Sequence, residues 1–279
     1  MSDSVIHLQV PPEYQAGWEN LTRELSGYAR LAIAYSGGVD STFLVWFAKT
    51  VMKKDVLAIL VVSPLVAARE LAGARQTAQQ LGFVVEEVDL DVTANSEVVA
   101  NTRTRCYSCK KAMLGRMFAL AHRLGYSTLM DGTNAEDVHQ YRPGIQALQE
   151  YGVISPLARA GLSKIAIREL SRRGGLPNWN KPSQACLATR IPYGVTVTRE
   201  LLGRIEQAEA YLLDLGCRQV RVRVHDRLAR IELDPEDFPL LFDSAKRMRT
   251  VQYFCQLGFL QVSLDLAGYC SGNADAGSV

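Results

Sequence analysis

No apolar run in this sequence approaches the length of a membrane span, and no basic-then-apolar segment stands at its start. Both absences argue against a membrane-embedded or exported protein and lead us to expect a cytoplasmic one. An excess of one charge is also missing. The 31 Lys and Arg stand against 29 Asp and Glu, a formal net charge of +2. That balance argues neither for nor against nucleic acid, because it can hide a local basic stripe. There is no internal repeat and no low-complexity segment, which excludes repeat arrays. Cysteine is sparse, at six residues. In a reducing compartment these read as ligands, nucleophiles or core filler rather than as three disulfides. What remains is ordinary: 48% hydrophobic and 22% charged residues over 279 positions, enough for one large domain or two.

Along the chain, residues 13–27 read as an amphipathic helix with Trp18, Leu21 and Leu25 on one face. Short apolar strands are expected at 31–34, 56–62, 83–88 and 128–130, with helices at 43–52, 67–81 and 110–124. Strands alternating with helices of this length imply right-handed βαβ units and a parallel sheet, with the ligand at the carboxyl ends of the strands. From Asn178 to Thr198 the chain becomes punctuated by Pro and Gly. Beyond it, a helix at 199–215, strands at 219–224, 228–233 and 259–266, and a helix at 238–248 suggest a small α+β domain on an antiparallel sheet. We therefore expect an α/β domain over 1–182, a smaller α+β domain over 183–270 and a disordered small-residue tail over 271–279.

The most informative stretch is Ala34-Tyr-Ser-Gly-Gly-Val-Asp-Ser-Thr42, between a short apolar run and an apolar helix. A strand, a glycine turn and a helix start can surround a phosphate with backbone N–H groups. Gly37 and Gly38 permit the tight turn and close approach, Ser36, Ser41 and Thr42 add hydroxyls, and Asp40 adds a carboxylate. No lysine follows as in G-x-x-x-x-G-K-[ST], so this is a different kind of phosphate loop.

Other groups carry possible chemistry. Cys106 and Cys109 form a C-x-x-C at a helix start, where the dipole favours thiolates. Alone it is ambiguous between zinc, a redox dithiol and an iron–sulfur cluster. With Cys186, on the segment joining the two domains, three thiolates suit a [4Fe–4S] cluster with one open iron. The alternatives are zinc completed by a histidine such as His122, or unrelated core cysteines. Cys217, Cys255 and Cys270 have no motif spacing. Asp131-Gly132-Thr-Asn-Ala-Glu-Asp137, at the end of the 128–130 strand, could hold Mg²⁺ against ATP phosphates, with Arg142 neutralising phosphate charge; a solvated acidic turn is the alternative. Alternation puts Arg221 and Arg223 on one face of a strand, either as a monophosphate clamp or as the exposed face of a half-buried strand. Glu209, Glu232 and Asp237 are nearby acids that could serve as bases or metal ligands, with an ordinary surface carboxylate as the alternative for each.

Ser36-Gly-Gly-Val-Asp-Ser-Thr42 resembles the pyrophosphate loop of the ATP pyrophosphatase (PP-loop) family, which splits ATP into AMP and pyrophosphate by adenylating a substrate. Asp131-Gly-Thr-Asn134, Tyr141-Arg-Pro-Gly144, Asn178-Trp-Asn-Lys181, Arg190-Ile-Pro-Tyr-Gly194 and Val220-Arg-Val-Arg223 follow in that order. Together they resemble the ATP-dependent sulfur transferases of nickel-pincer nucleotide biosynthesis, the cofactor of lactate racemase. The match spans about Leu31 to Gly268, and the Asn-Trp-Asn-Lys and Ile-Pro-Tyr-Gly segments are its specific part. The resemblance implies an adenine nucleotide alpha hydrolase-like fold. It also implies adenylation of a carboxylate of pyridinium-3,5-biscarboxylic acid mononucleotide, displacement of AMP by sulfur, and an oligomer. In such enzymes sulfur comes either from one sacrificed cysteine near Cys186, or through a C-x-x-C pair plus that cysteine. Cys106, Cys109 and Cys186 point to the second group, with a [4Fe–4S] cluster fed by a sulfide source. A tRNA thiolase, for which Arg168, Arg172 and Arg173 leave only a small basic patch, and a non-catalytic zinc- and AMP-binding protein are the rivals.

Overall fold

The computed structural model describes residues 9–137 and 143–270. In chain order the elements begin with helix α1 (Pro12–Ser26), strand β1 (Arg30–Ala34), helix α2 (Val39–Trp46), strand β2 (Asp55–Val62), helix α3 (Ala68–Gln80) and strand β3 (Val85–Asp89). The short α4 (Ser96–Val99), the long α5 (Arg105–Arg123), β4 (Leu129–Met130), α6 (Pro143–Glu150), α7 (Pro156–Arg159) and α8 (Lys164–Arg173) follow. The remainder comprises α9 (Arg199–Asp214), β5 (Val220–His225), β6 (Leu228–Leu233), α10 (Phe238–Phe242), α11 (Ser244–Gln256) and β7 (Gln261–Leu264). No described helix is long and apolar enough to cross a membrane.

The chain divides into two compact units. The first takes the residues up to Ser63 with Ala68–Leu90 and Cys106–Gln184. The second takes Pro64–Ala67, Asp91–Arg105 and the chain from Ala185 onward.

The first unit is an α/β body on a parallel sheet of order β3-β2-β1-β4. β1 and β2 are apolar almost throughout because helices cover both faces of such a sheet, and Leu31, Ala32, Ile33 and Ile59 are fully buried. The chain builds outward from β1 through β2 to β3 on one side, and later adds β4 on the other. The order therefore reverses at the carboxyl end of β1, where such sheets bind ligands. The Ser36 loop is there. The expected apolar face of α1 packs as read: Trp18 meets Phe47 edge-on at 4.6 Å, and Leu21 and Leu25 are buried.

Two helix starts lie earlier than expected. α2 begins at Val39 rather than 43, so Asp40, Ser41 and Thr42 form its first turn. α5 begins at Arg105 rather than 110, so Cys106 and Cys109 lie inside the helix.

The second unit carries a mixed sheet, not the antiparallel one expected. β5 and β6 are antiparallel, with Arg221 opposite Glu232, but β7 runs parallel to β6, with Leu228 opposite Gln261. The reversal follows from α10 and α11, which carry the chain back before β7 begins. The helix expected over 238–248 is two helices. Asp243 leaves the helical region (φ −59, ψ 126), and its side chain accepts from Lys246 N at 2.8 Å, starting α11 afresh.

The early segment of this unit is tied to the late one by hydrogen bonds. Asn101 Nδ2 donates to Pro192 O at 2.8 Å and Val195 O at 2.9 Å, while Leu187 N donates to Leu65 O at 2.8 Å.

Candidate active site

Gly37 has φ +70, and a Cβ built there would lie 2.4 Å from the Ala74 Cβ. Only glycine fits the turn as it stands. Inside the loop, Ser41 Oγ accepts from Ser36 N at 3.2 Å and lies 3.1 Å from Ser36 Oγ. Gly38, with φ −77 and ψ 166, precedes α2, so the loop opens onto the positive end of that helix.

Tyr35, at the root of the loop, donates its hydroxyl to Ala74 O at 2.9 Å, and burial pushes its pKa up to about 12. A folded pKa raised above the unfolded one gives stability that is full below about pH 10 and is lost as pH rises toward 12, at about 1.4 kcal/mol per unit. Tyr35→Phe is therefore expected to flatten the alkaline limb of a urea-stability profile. An unchanged limb would count against this assignment.

The Asp131 segment reaches the same loop. A Cβ on Gly132 would sit 2.8 Å from Ser41 N and 3.2 Å from the Asp40 carbonyl carbon, so this turn packs backbone to backbone against the start of α2. Asp131 is buried and accepts from Thr133 Oγ1 at 2.6 Å and Ser155 Oγ at 2.7 Å. Arg142 and Tyr141, expected on this rim, lie outside the described residues.

Sequence reasoning gave no role to three polar side chains on the loop. Lys164, in the first turn of α8, pairs with Asp40 Oδ2. Burial nonetheless pushes the Asp40 carboxyl up from its ordinary value, Lys164 opposing, and Asp40 Oδ1 is buried with no hydrogen-bond partner among the described residues. Asn178 and Lys181 both donate to Gly37 O. Their motif was visible in the sequence; Lys164 had no local signal, because its pairing spans 124 residues.

In the second unit, Arg221 and Arg223 are not the face of a half-exposed strand. Both are buried. Arg223 donates to Glu232 Oε1 at 3.0 Å and Thr189 O at 2.8 Å, so a carboxylate on the next strand balances it. Arg221 is less well matched. Its Nη1 donates to Val220 O at 2.7 Å, its guanidinium lies 5.1 Å from the Tyr269 ring centre, and Nη2 has no partner among the described residues. Burial first, then the like charge of Arg190, pulls Arg221 down from its ordinary value.

Arg190 itself is buried. It pairs with both Glu209 oxygens at 2.9 and 3.0 Å and donates to Ala185 O at 2.7 Å and Cys186 O at 2.9 Å. Glu209 also accepts from Val222 N at 2.9 Å, and Asp237 accepts from Arg218 N at 2.8 Å.

Cys106 and Cys109, one turn apart on α5, are both half-buried, and Cys109 Sγ lies 3.8 Å from Met113 Sδ. Cys186 is the cap of the short 3-10 turn Leu187–Arg190. Among the described residues, no group of three or more His, Cys, Asp or Glu has metal-holding geometry. Cys217 is buried, and burial and the neighbouring Asp237 push its thiol up to about 11, which keeps it protonated, while Cys255 and Cys270 are exposed. In the basic patch, Arg172 and Arg173 hydrogen-bond Glu169 and hold its carboxyl down at about 2.

No established family profile matches the chain. It is similar to an uncharacterised protein of Synechocystis sp., with 45% identity over 91% of this chain and 95% of that one. It is also 36% identical to the pyridinium-3,5-bisthiocarboxylic acid mononucleotide synthase of Lactiplantibacillus plantarum, over 90% of this chain and 91% of the synthase. The chain belongs to the family of that synthase. A third relative, an uncharacterised protein of Methanocaldococcus jannaschii, is 27% identical over 91% of this chain. At nine-tenths of the chain, the match to the synthase spans both units.

Proposed function

We propose that this chain is an ATP-dependent sulfur transferase that converts a carboxylate of pyridinium-3,5-biscarboxylic acid mononucleotide to a thiocarboxylate. Its membership of the synthase family, over nine-tenths of its length, carries the reading. In the first step the substrate carboxylate oxygen attacks the α-phosphorus of ATP, and pyrophosphate leaves. In the second a sulfide sulfur attacks the acyl carbon, and AMP leaves with the original carboxylate oxygen. Adenylation makes an inert carboxylate electrophilic.

The parts supply binding and charge. The Ser36 loop and the start of α2 face the leaving pyrophosphate with N–H and hydroxyl donors. The donorless Asp40 Oδ1 and the Asp131 carboxylate offer the oxygens that Mg²⁺ takes. Arg221, buried with an unmatched Nη2, suits the substrate phosphate, with Arg223 beside it.

Two half-buried thiols one turn apart fit two ligands of one centre, so Cys106 and Cys109, with Cys186 as third, would hold a [4Fe–4S] cluster. That group, when bound, supplies an open iron for sulfide. Glu209 and Asp237 are already engaged by Arg190 and Arg218, which supports a role in ordering the second unit over proton transfer. The enzyme would be a cytoplasmic homo-oligomer drawing on a separate sulfide source.

The test is protein purified without oxygen and supplied with ATP, Mg²⁺, sulfide and the dicarboxylate nucleotide. We expect one AMP and one pyrophosphate per oxygen replaced by sulfur, read by mass spectrometry. ADP and phosphate as products, or no sulfur gained, would overturn the reading. About four irons and four sulfides per chain are expected, lost in Cys186→Ala. Zinc alone would remove the cluster, and full multiple-turnover activity in Cys106→Ala would remove its role.

A further inference from the structure

The Asn178-Trp-Asn-Lys181 segment has no part in the chemistry above, yet two of its side chains converge on one atom of the Ser36 loop. Asn178 Nδ2 donates to Gly37 O at 3.1 Å and to Thr42 Oγ1 at 2.9 Å. Lys181 Nζ reaches the same carbonyl at 3.4 Å and is anchored by Glu70 at 2.8 Å. Asn178 is 7% exposed, and the Lys181 side chain 23%. A lysine usually carries its ammonium out to water. Here Arg168 Nη2 holds the Lys181 carbonyl at 3.1 Å, and the ammonium turns in toward the loop.

Peptide planarity gives the contact a consequence. Across a trans peptide, the C=O of Gly37 and the N–H of Gly38 point in opposite directions. The carbonyl is on the buried side, doubly held. The N–H therefore faces the open side, where its partner within the loop is Ser36 Oγ at a long 3.3 Å. Were this peptide to turn over, a carbonyl oxygen would confront a bound anion and one donor would be lost. Two adjacent glycines offer little resistance to such a turn. The restraint has to come from outside the loop.

We propose that Asn178 and Lys181 are positioning residues that lock the Gly37–Gly38 peptide with its N–H toward bound phosphate oxygens. The role rests on the reading that this loop holds the phosphates of ATP. It predicts a selective defect, because the lock acts on the polyphosphate and not on the nucleoside.

The test is calorimetric titration of the full chain and of Asn178→Ala, Lys181→Met and Lys181→Arg with pyrophosphate, ATP and AMP, alongside melting curves. Asn178→Ala and Lys181→Met are expected to weaken pyrophosphate and ATP by on the order of tenfold, the size of one charge-assisted hydrogen bond, with AMP changed less than about twofold. Lys181→Arg keeps the cation and should stay close to the parent. If Asn178→Ala unfolds, the partly exposed Lys181 pair carries the test. Equal losses for AMP and pyrophosphate would mean general damage and overturn the lock. Unchanged pyrophosphate affinity in both variants would overturn it while leaving the nucleotide reading intact. A parent protein that binds neither ATP nor pyrophosphate would remove both.

Discussion

Gly37→Ala is expected to lower the melting temperature by about 10 °C and to remove the ATP-dependent turnover proposed above. Two costs combine. A left-handed residue other than glycine costs about 1–2 kcal/mol. The new methyl would also lie 2.4 Å from the Ala74 Cβ and 2.7 Å from its Cα, and overpacking of this kind costs about 1–3 kcal/mol. The backbone of α3 cannot turn aside as a side chain would, so the loop has to move, and the donors proposed to meet phosphate move with it. Gly38→Ala is the control. Its φ is ordinary, and its Cβ would meet only Ser36 Oγ at 3.3 Å. It should melt within a few degrees of the parent. A Gly37→Ala protein as stable as Gly38→Ala would show that the loop is not pinned against α3.

A loss of similar size is expected from Glu209→Ala, for an electrostatic reason. Arg190 is 2% exposed, and removing its bidentate partner leaves a buried charge without compensation, at a cost of about 3–5 kcal/mol. Replacing both, as Arg190→Met with Glu209→Leu, should recover most of that stability in a urea melt. It should not recover activity, because Arg190 also holds the carbonyls of Ala185 and Cys186, and with them the path of the chain at that cysteine. Stability and turnover should therefore separate in the double variant. A Glu209→Gln protein with parental stability and a lost acidic limb in its pH–rate profile would instead make Glu209 a proton acceptor.

Legibility in the sequence followed the range of the interaction concerned. The alternation of apolar strands with helices over residues 31–130 gave the parallel sheet, because burial on both faces leaves a continuous apolar run in β1 and β2. The Ser36 loop was legible because a left-handed turn before a helix requires glycine locally. Helix starts were read late at Val39 and Arg105, since the polar residues of a first turn carry no apolar period. For Arg221 and Arg223, alternation with valine left a phosphate clamp and one wet face equally open. Only the partner strand, which places Glu232 opposite Arg221 and bonds it to Arg223, explains how that face is covered. The direction of β7 and the pairing of Lys164 with Asp40 are likewise set by distant partners.

The interleaving of the two units bears on how the chain is made. The second unit needs residues 64–67 and 91–105, which leave the ribosome well before the segments at Leu187 and Pro192–Val195 that bond to them. At about 5–20 residues per second, Asn101 waits roughly 5–20 s for its acceptors. During that interval an asparagine that the finished fold buries, and the short helix α4 before it, belong to an unfinished body. No single cut in the chain releases either unit whole. A truncation ending near residue 184 would keep the Ser36 loop but strand two orphaned segments of the other unit within it, and such a fragment is a poor stand-in for the whole chain.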